Sequence, residues 1–137
     1  MDLEYVKKHC LEGDGLSDTL GIEYLSTPES DVCVGRMPVD SRNCQPYGSL
    51  SGGASLALAE NVAGIGSMAL CPDKMCLGIN VSGDHVKSAR VGDTVTATAR
   101  ILHRGRSLHL WGVEVRNGKG ELVSSVQVKN FVMDKKA

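Results

Sequence analysis

Aromatic side chains are scarce in this 137-residue chain, which has one Trp, one Phe and three Tyr. A core without them has to be closed by aliphatic and small side chains packed tightly against one another. Charge excess is missing as well. Fifteen Lys and Arg against sixteen Asp and Glu leave a formal net charge of −1, so no strong attraction to nucleic acid or to an anionic membrane is expected. The first residues, MDLEYVKKHCLEGD, are charged and lack the apolar centre of a secretory leader. The five cysteines (Cys10, Cys33, Cys44, Cys71 and Cys76) are odd in number and irregular in spacing. They read as reduced thiols of a cytoplasmic protein and not as a disulfide framework. CPDKMC at 71–76 has no second pair to complete a zinc site, and no metal or cofactor is expected.

What remains is an ordinary globular composition, 42% hydrophobic and 23% charged, in a length that suits one domain over 1–137. No repeat, low-complexity stretch or linker interrupts it. Residues 1–18 read as a short amphipathic helix and loop. GIEYLST at 21–27 and DVCVGRMPV at 31–39 read as two strands, with Pro38 ending the second. Ser51 stands where a helix N-cap belongs, ahead of GGASLALAENVAGIGSMAL. Leu56, Ala59, Ala63 and Ser67 trace one face of that helix, and Leu58, Val62, Ile65 and Ala69 another, so it is expected to be buried on most sides. It is no membrane span, because Glu60, Asn61, Gly64 and Gly66 interrupt it.

The second half reads as β throughout. CLGINVSGDHVKSA is a strand with a bulge expected at Gly83. In DTVTATARI, Val95, Ala97, Ala99 and Ile101 share one face and Thr94, Thr96, Thr98 and Arg100 the other. RSLHLWGVEVRN and ELVSSVQVKNFVM complete four strands, expected as a meander, with His103 and His109 at the surface beside a hairpin turn. The predicted class is α+β: an antiparallel sheet of about six strands wrapped around one long central helix. The other face of such a sheet is left for a partner chain.

Glu60 is the only charged residue between Arg42 and Asp73. A structural carboxylate there would point to solvent or pair with a base, and no basic residue lies within two helical turns. A buried acid without a partner is costly, so a functional role competes with the structural one. Gly52 and Gly53, at the helix start, carry free N–H groups at the positive end of the helix dipole. That end suits a developing oxyanion. Glu60 lies about two turns further, roughly 12 Å along the axis. One carbonyl carbon does not reach both groups in one chain, which points to a dimer. Gln45 is either a surface turn residue or a group that places a carbonyl or a water. His85 is either a structural strand histidine or part of the same site.

The stretch MPVDSRNCQPYGSLSGGASLALAE at 37–60 and the block HVKSARVGDTV at 85–95 resemble hotdog-fold acyl-CoA thioesterases. The resemblance is to the branch holding 4-hydroxybenzoyl-CoA thioesterase, 1,4-dihydroxy-2-naphthoyl-CoA hydrolase and the phenylacetate-type thioesterases. It implies Glu60 as catalytic nucleophile or general base, Gln45 as the group placing the carbonyl or water, and Gly52 as oxyanion donor. It further implies Ser51, Gly53, Gly64, Ser67 and His85 around the substrate, and Lys87, Ser88 and Arg90 at the CoA phosphates. Arg104 and Arg106 are expected to add charge there. The implied assembly is a homodimer with shared active sites, paired into a tetramer. Two positions differ from the family pattern: Ser51 stands for a histidine, and Gly64 for a Ser or Thr, a role that Ser67 is a candidate to take. A hotdog hydratase or dehydratase and a non-catalytic acyl-CoA-binding protein are the competing readings. Aromatic acyl groups such as the menaquinone precursor fit the resemblance best.

Overall fold

The computed structural model describes residues 1–136. Its elements in chain order are α1 (Glu4–His9), α2 (Gly15–Leu20), β1 (Glu23–Leu25), β2 (Val32–Pro38), α3 (Gly52–Leu70), β3 (Lys74–His85), β4 (Thr94–Arg104), β5 (Leu108–Arg116) and β6 (Leu122–Asp134). The single N-terminal helix expected from sequence is two short ones. Asp14 caps the second, accepting from Ser17 N at 3.3 Å, and Gly21 ends it in the left-handed region at φ 71°. Pro38 closes β2 as expected.

All six strands form one antiparallel sheet in the order β1-β2-β4-β5-β6-β3. Strands β4, β5 and β6 make the expected meander, but β3 does not precede β4 in it. It pairs with β6 at the sheet edge instead. The connection 86–93 then runs past the loop that opens α3, where Leu50 N donates to Ala89 O at 2.8 Å, and delivers β4 beside β2. Register along β3 shifts between Gly78 and Asn80, so the bulge is at Ile79 and not at Gly83. Gly83 pairs regularly with Val126, and a side chain there would meet Ser125 O at 2.6 Å. Close packing is the reason for that glycine.

The sheet curves around α3. The inward positions Val95, Ala97, Ala99, Trp111, Val113, Val115, Val126 and Val128 close on Leu58, Ala59, Val62 and Ala63 of the helix, all of them buried. Burying a Leu or Val side chain stabilises the fold by about 1.5–3 kcal/mol. Alanine and glycine on α3 let the sheet come close: a Cβ on Gly66 would stand 2.6 Å from Trp111 Cη2. The outward positions Arg100, Glu114, Gln127 and Lys129 are exposed, and no helix covers that face among the described residues. The edge strand β3 exposes Leu77 (47%) and Ile79 (59%). No helix of the described residues is long and apolar enough to cross a membrane.

Candidate active site

The loop before α3 is built to hold one shape. Asn43 is buried, donates from Nδ2 to Pro38 O at 2.8 Å and accepts from Asp40 N at 3.1 Å. Gln45 N donates to Ser49 O at 2.7 Å, and Gly48 turns the chain at φ 79°. Ser51 N donates to Asn43 O at 2.8 Å. Ser51 occupies the N-cap position in an extended conformation, yet its hydroxyl makes no capping hydrogen bond, contrary to expectation. Its carbonyl accepts from Ala54 N and Ser55 N. The N–H groups of Gly52 and Gly53 are left without a backbone acceptor among the described residues.

Of the two, Gly52 lines a cleft of about 540 Å³. Gln45, Gly52, His85, Lys87 and Ser88, all expected at the site, line it together. His85 lies against the helix start: a Cβ on Gly52 would stand 2.6 Å from His85 Nε2, so a larger residue there would push the ring aside. Its other nitrogen, Nδ1, is 2.8 Å from Ser124 Oγ. Sequence reasoning missed Ser55 and Ser124, both buried and both lining the cleft. The available signals were a hydroxyl one turn after Gly52, and a serine in phase with Val126 and Val128 on the inward side of β6.

Lys87 is held by Glu121 at 2.5 Å, which lowers that carboxyl below its ordinary range. A phosphate at Lys87 has to compete with this ion pair. Arg90 is exposed and bridges by backbone to Ser49 at the loop.

Other expected residues lie elsewhere in the chain. Glu60 is half-buried and outside the cleft, with its carboxylate packed against β3, where a Cβ on Gly78 would meet Oε2 at 3.1 Å. No basic group lies within ion-pair distance of it among the described residues. Gly64 faces open space, with nothing within 4 Å of an added Cβ, and Gly53 is exposed. Arg104 donates to Leu70 O at the C-terminal end of α3, and Arg106 lines a separate pocket near Lys74. They do not join Lys87 and Ser88, because the β4–β5 hairpin reaches the far end of a helix about 27 Å long.

Ser67 is not available to a substrate either. It is fully buried, accepting from Trp111 Nε1 and Asn130 Nδ2 at 2.9 Å each and lying 2.8 Å from His109 Nδ1. His109, expected at the surface, is 1% exposed, because the inward phase of β5 carries it onto α3. Burial first, and then the positive charges of Arg104 and His103, hold its pKa below the ordinary imidazole value.

A family model described as the thioesterase superfamily matches residues 47–124, more than half of the chain. The chain belongs to the thioesterase superfamily. The matched segment carries all of the cleft residues named above except Gln45. Among curated relatives of this thioesterase, the 1,4-dihydroxy-2-naphthoyl-CoA hydrolase of Listeria monocytogenes is 36% identical over 110 residues, 80% of this chain and 88% of that protein. A mutant thioesterase from Pseudomonas aeruginosa superposes with a TM-score of 0.88 at 31% identity, covering 98% of this chain and 96% of that one. A thioesterase from Haemophilus influenzae gives 0.86 at 31% identity, covering 98% and 92%. The wrapped helix is thus that of a hotdog fold, and the protein is a thioester hydrolase.

Proposed function

We propose that this thioesterase hydrolyses an aryl- or acyl-CoA thioester to the free acid and CoA, with 1,4-dihydroxy-2-naphthoyl-CoA as a candidate substrate. The observation that carries the reading is the uncommitted N–H group of Gly52, in the lining of the cleft at the start of α3. Preorganised N–H donors aimed at a developing oxyanion contribute about 10²–10³ in turnover each. Glu60 supplies the second half. Acting as general base, its carboxylate takes a proton from water while the water oxygen attacks the thioester carbon. Acting as nucleophile, a carboxylate oxygen attacks that carbon directly and forms a mixed anhydride, which water then hydrolyses to the free acid and the regenerated carboxylate. In both routes the C–S bond breaks, its electron pair stays on sulfur, and CoA leaves. Gln45 places the carbonyl or the water. Lys87, Ser88 and Arg90 take the phosphates of CoA. The chemistry requires no cofactor.

Glu60 lies roughly 12 Å along α3 from Gly52, so the reading needs a second chain. The exposed β3 edge supports a homodimer. Antiparallel pairing of two such edges turns the Gly78 end of one strand, with its Glu60, toward the His85 end of the other. The open outer face of the sheet is the surface for pairing into a tetramer. Light scattering on the purified protein tests the assembly.

Thiol release from a panel of aryl- and fatty acyl-CoAs, followed with a thiol reagent, tests the activity. Glu60→Ala is expected to lower kcat by about 10²–10⁴ while the thermal melt stays in place. Unchanged turnover in that variant would overturn the assignment.

A further inference from the structure

We infer that Ser124 is a positioning residue for His85, and that the pair brings to the start of α3 an imidazole that position 51 does not carry. The inference rests on the thioesterase reading for its kinetic consequence, but its geometry stands alone. Ser124 and His85 are directly opposed on β6 and β3, so their side chains share the inward face of the sheet. Ser124 is fully buried where the alternation of β6 calls for an apolar residue like Val126 or Val128. Its hydroxyl lies 2.8 Å from His85 Nδ1. At the opposite side of the ring, Nε2 lies against the Cα of Gly52. The imidazole is therefore held at Nδ1 by Ser124, with Nε2 packed against Gly52 at the helix start. Ser51, at the N-cap, carries no imidazole of its own.

The second serine–histidine pair of the molecule shows why the Ser124 hydroxyl suits a working group. Ser67 accepts two hydrogen bonds, from Trp111 and Asn130, which fill its lone pairs. Its single proton is left for His109 Nδ1, so that ring is confined to one neutral tautomer. Ser124 has no side-chain partner besides His85 among the described residues. It donates to Nδ1 when that nitrogen is bare and accepts from it when it is protonated. His85 keeps its Nδ1 contact through either tautomer.

Two measurements test this. Long-range ¹H–¹⁵N spectra of protein labelled at histidine report the ring nitrogens without any substrate. Ser124→Ala is expected to shift the His85 resonances and leave those of His109 in place. Unmoved His85 resonances overturn the proposal, whether or not the protein hydrolyses thioesters. The second is a double-mutant cycle on thiol release from benzoyl-CoA and hexanoyl-CoA. Ser124→Ala is expected to lower kcat about 10-fold with little change in KM, and His85→Ala about 10²-fold. In the His85→Ala background, Ser124→Ala should add nothing, because its effect passes through the ring. Ser124→Thr, which keeps the hydroxyl, should restore kcat to within about 3-fold of the wild type. Losses that multiply across the cycle would overturn the inference and leave Ser124 a purely structural residue. Absence of thiol release by the wild type across the whole acyl-CoA panel, 1,4-dihydroxy-2-naphthoyl-CoA included, would overturn the acyl-CoA reading instead, leaving the spectra to judge the positioning.

Discussion

The two ends of α3 are built from the same pair of side chains and put to different use. At the N-terminal end, His85 and Ser124 meet at 2.8 Å beside a cleft of about 540 Å³, and the histidine is exposed. At the C-terminal end, His109 and Ser67 meet at the same 2.8 Å, and both are sealed under the sheet with Trp111 and Asn130. The chemistry of the contact does not separate a candidate catalytic group from a structural one. Exposure does, together with the number of donors that already occupy the serine. A hydroxyl holding one partner leaves its histidine adjustable, whereas a hydroxyl holding three fixes it.

The sealed end is the more vulnerable to substitution. Ser67→Ala strands the Trp111 indole N–H, an Asn130 N–H and a His109 nitrogen in the core. An unsatisfied buried polar group costs about 1–3 kcal/mol, so a loss of at least about 3 kcal/mol is expected in chemical denaturation. Loss of less than about 1 kcal/mol would mean that the knot is not tightly closed. Gly66→Ala comes next. Its Cβ would meet Trp111 Cη2 at 2.6 Å and Cys33 Cβ at 3.1 Å, and overpacking of this kind destabilises by about 1–3 kcal/mol. Two residues earlier the sign reverses. Gly64 faces open space, so Gly64→Ala should stabilise by about 0.5–1 kcal/mol, the ordinary helix-propensity difference, and raise the melting temperature.

The subtlest effect is in pH. Burial holds the His109 pKa below its ordinary 6.5, so as pH falls the unfolded chain takes up that proton before the folded one does. Stability from this group is intact above about pH 6.5 and declines as pH drops below it. Denaturation midpoints measured from pH 7.5 to 5 should fall, and His109→Gln should flatten that slope. An equal slope in the variant would place the pH dependence elsewhere.

Much of the frame was legible in the residues. The near-continuous apolar face of GGASLALAENVAGIGSMAL could only be satisfied by a helix surrounded by sheet, and α3 spans Gly52–Leu70. Alternation in DTVTATARI put Val95, Ala97 and Ala99 inside, and they are fully buried. Gly52 at the helix start marked the end of α3 that lines the cleft, whereas the lone charge, Glu60, lies outside it within the chain. Strand order was not legible, because alternation tells which face a residue takes and not which strand lies beside it. His109 illustrates the same gap: beside a hairpin turn it reads as surface, and only the phase of β5 over α3 buries it.

The amino-acid pattern alone therefore set the helix, the strand faces and the residues with reactive chemistry, because each follows from local periodicity or side-chain type. Tertiary structure decided what those residues meet. It set Ser124 opposite His85, enclosed Ser67 and His109, and carried Arg104 and Arg106 to the far end of α3 from Lys87. It also left Glu60 against Gly78 and away from the cleft. Such juxtapositions depend on pairings between segments tens of residues apart, and those are settled only when the whole sheet closes on its helix.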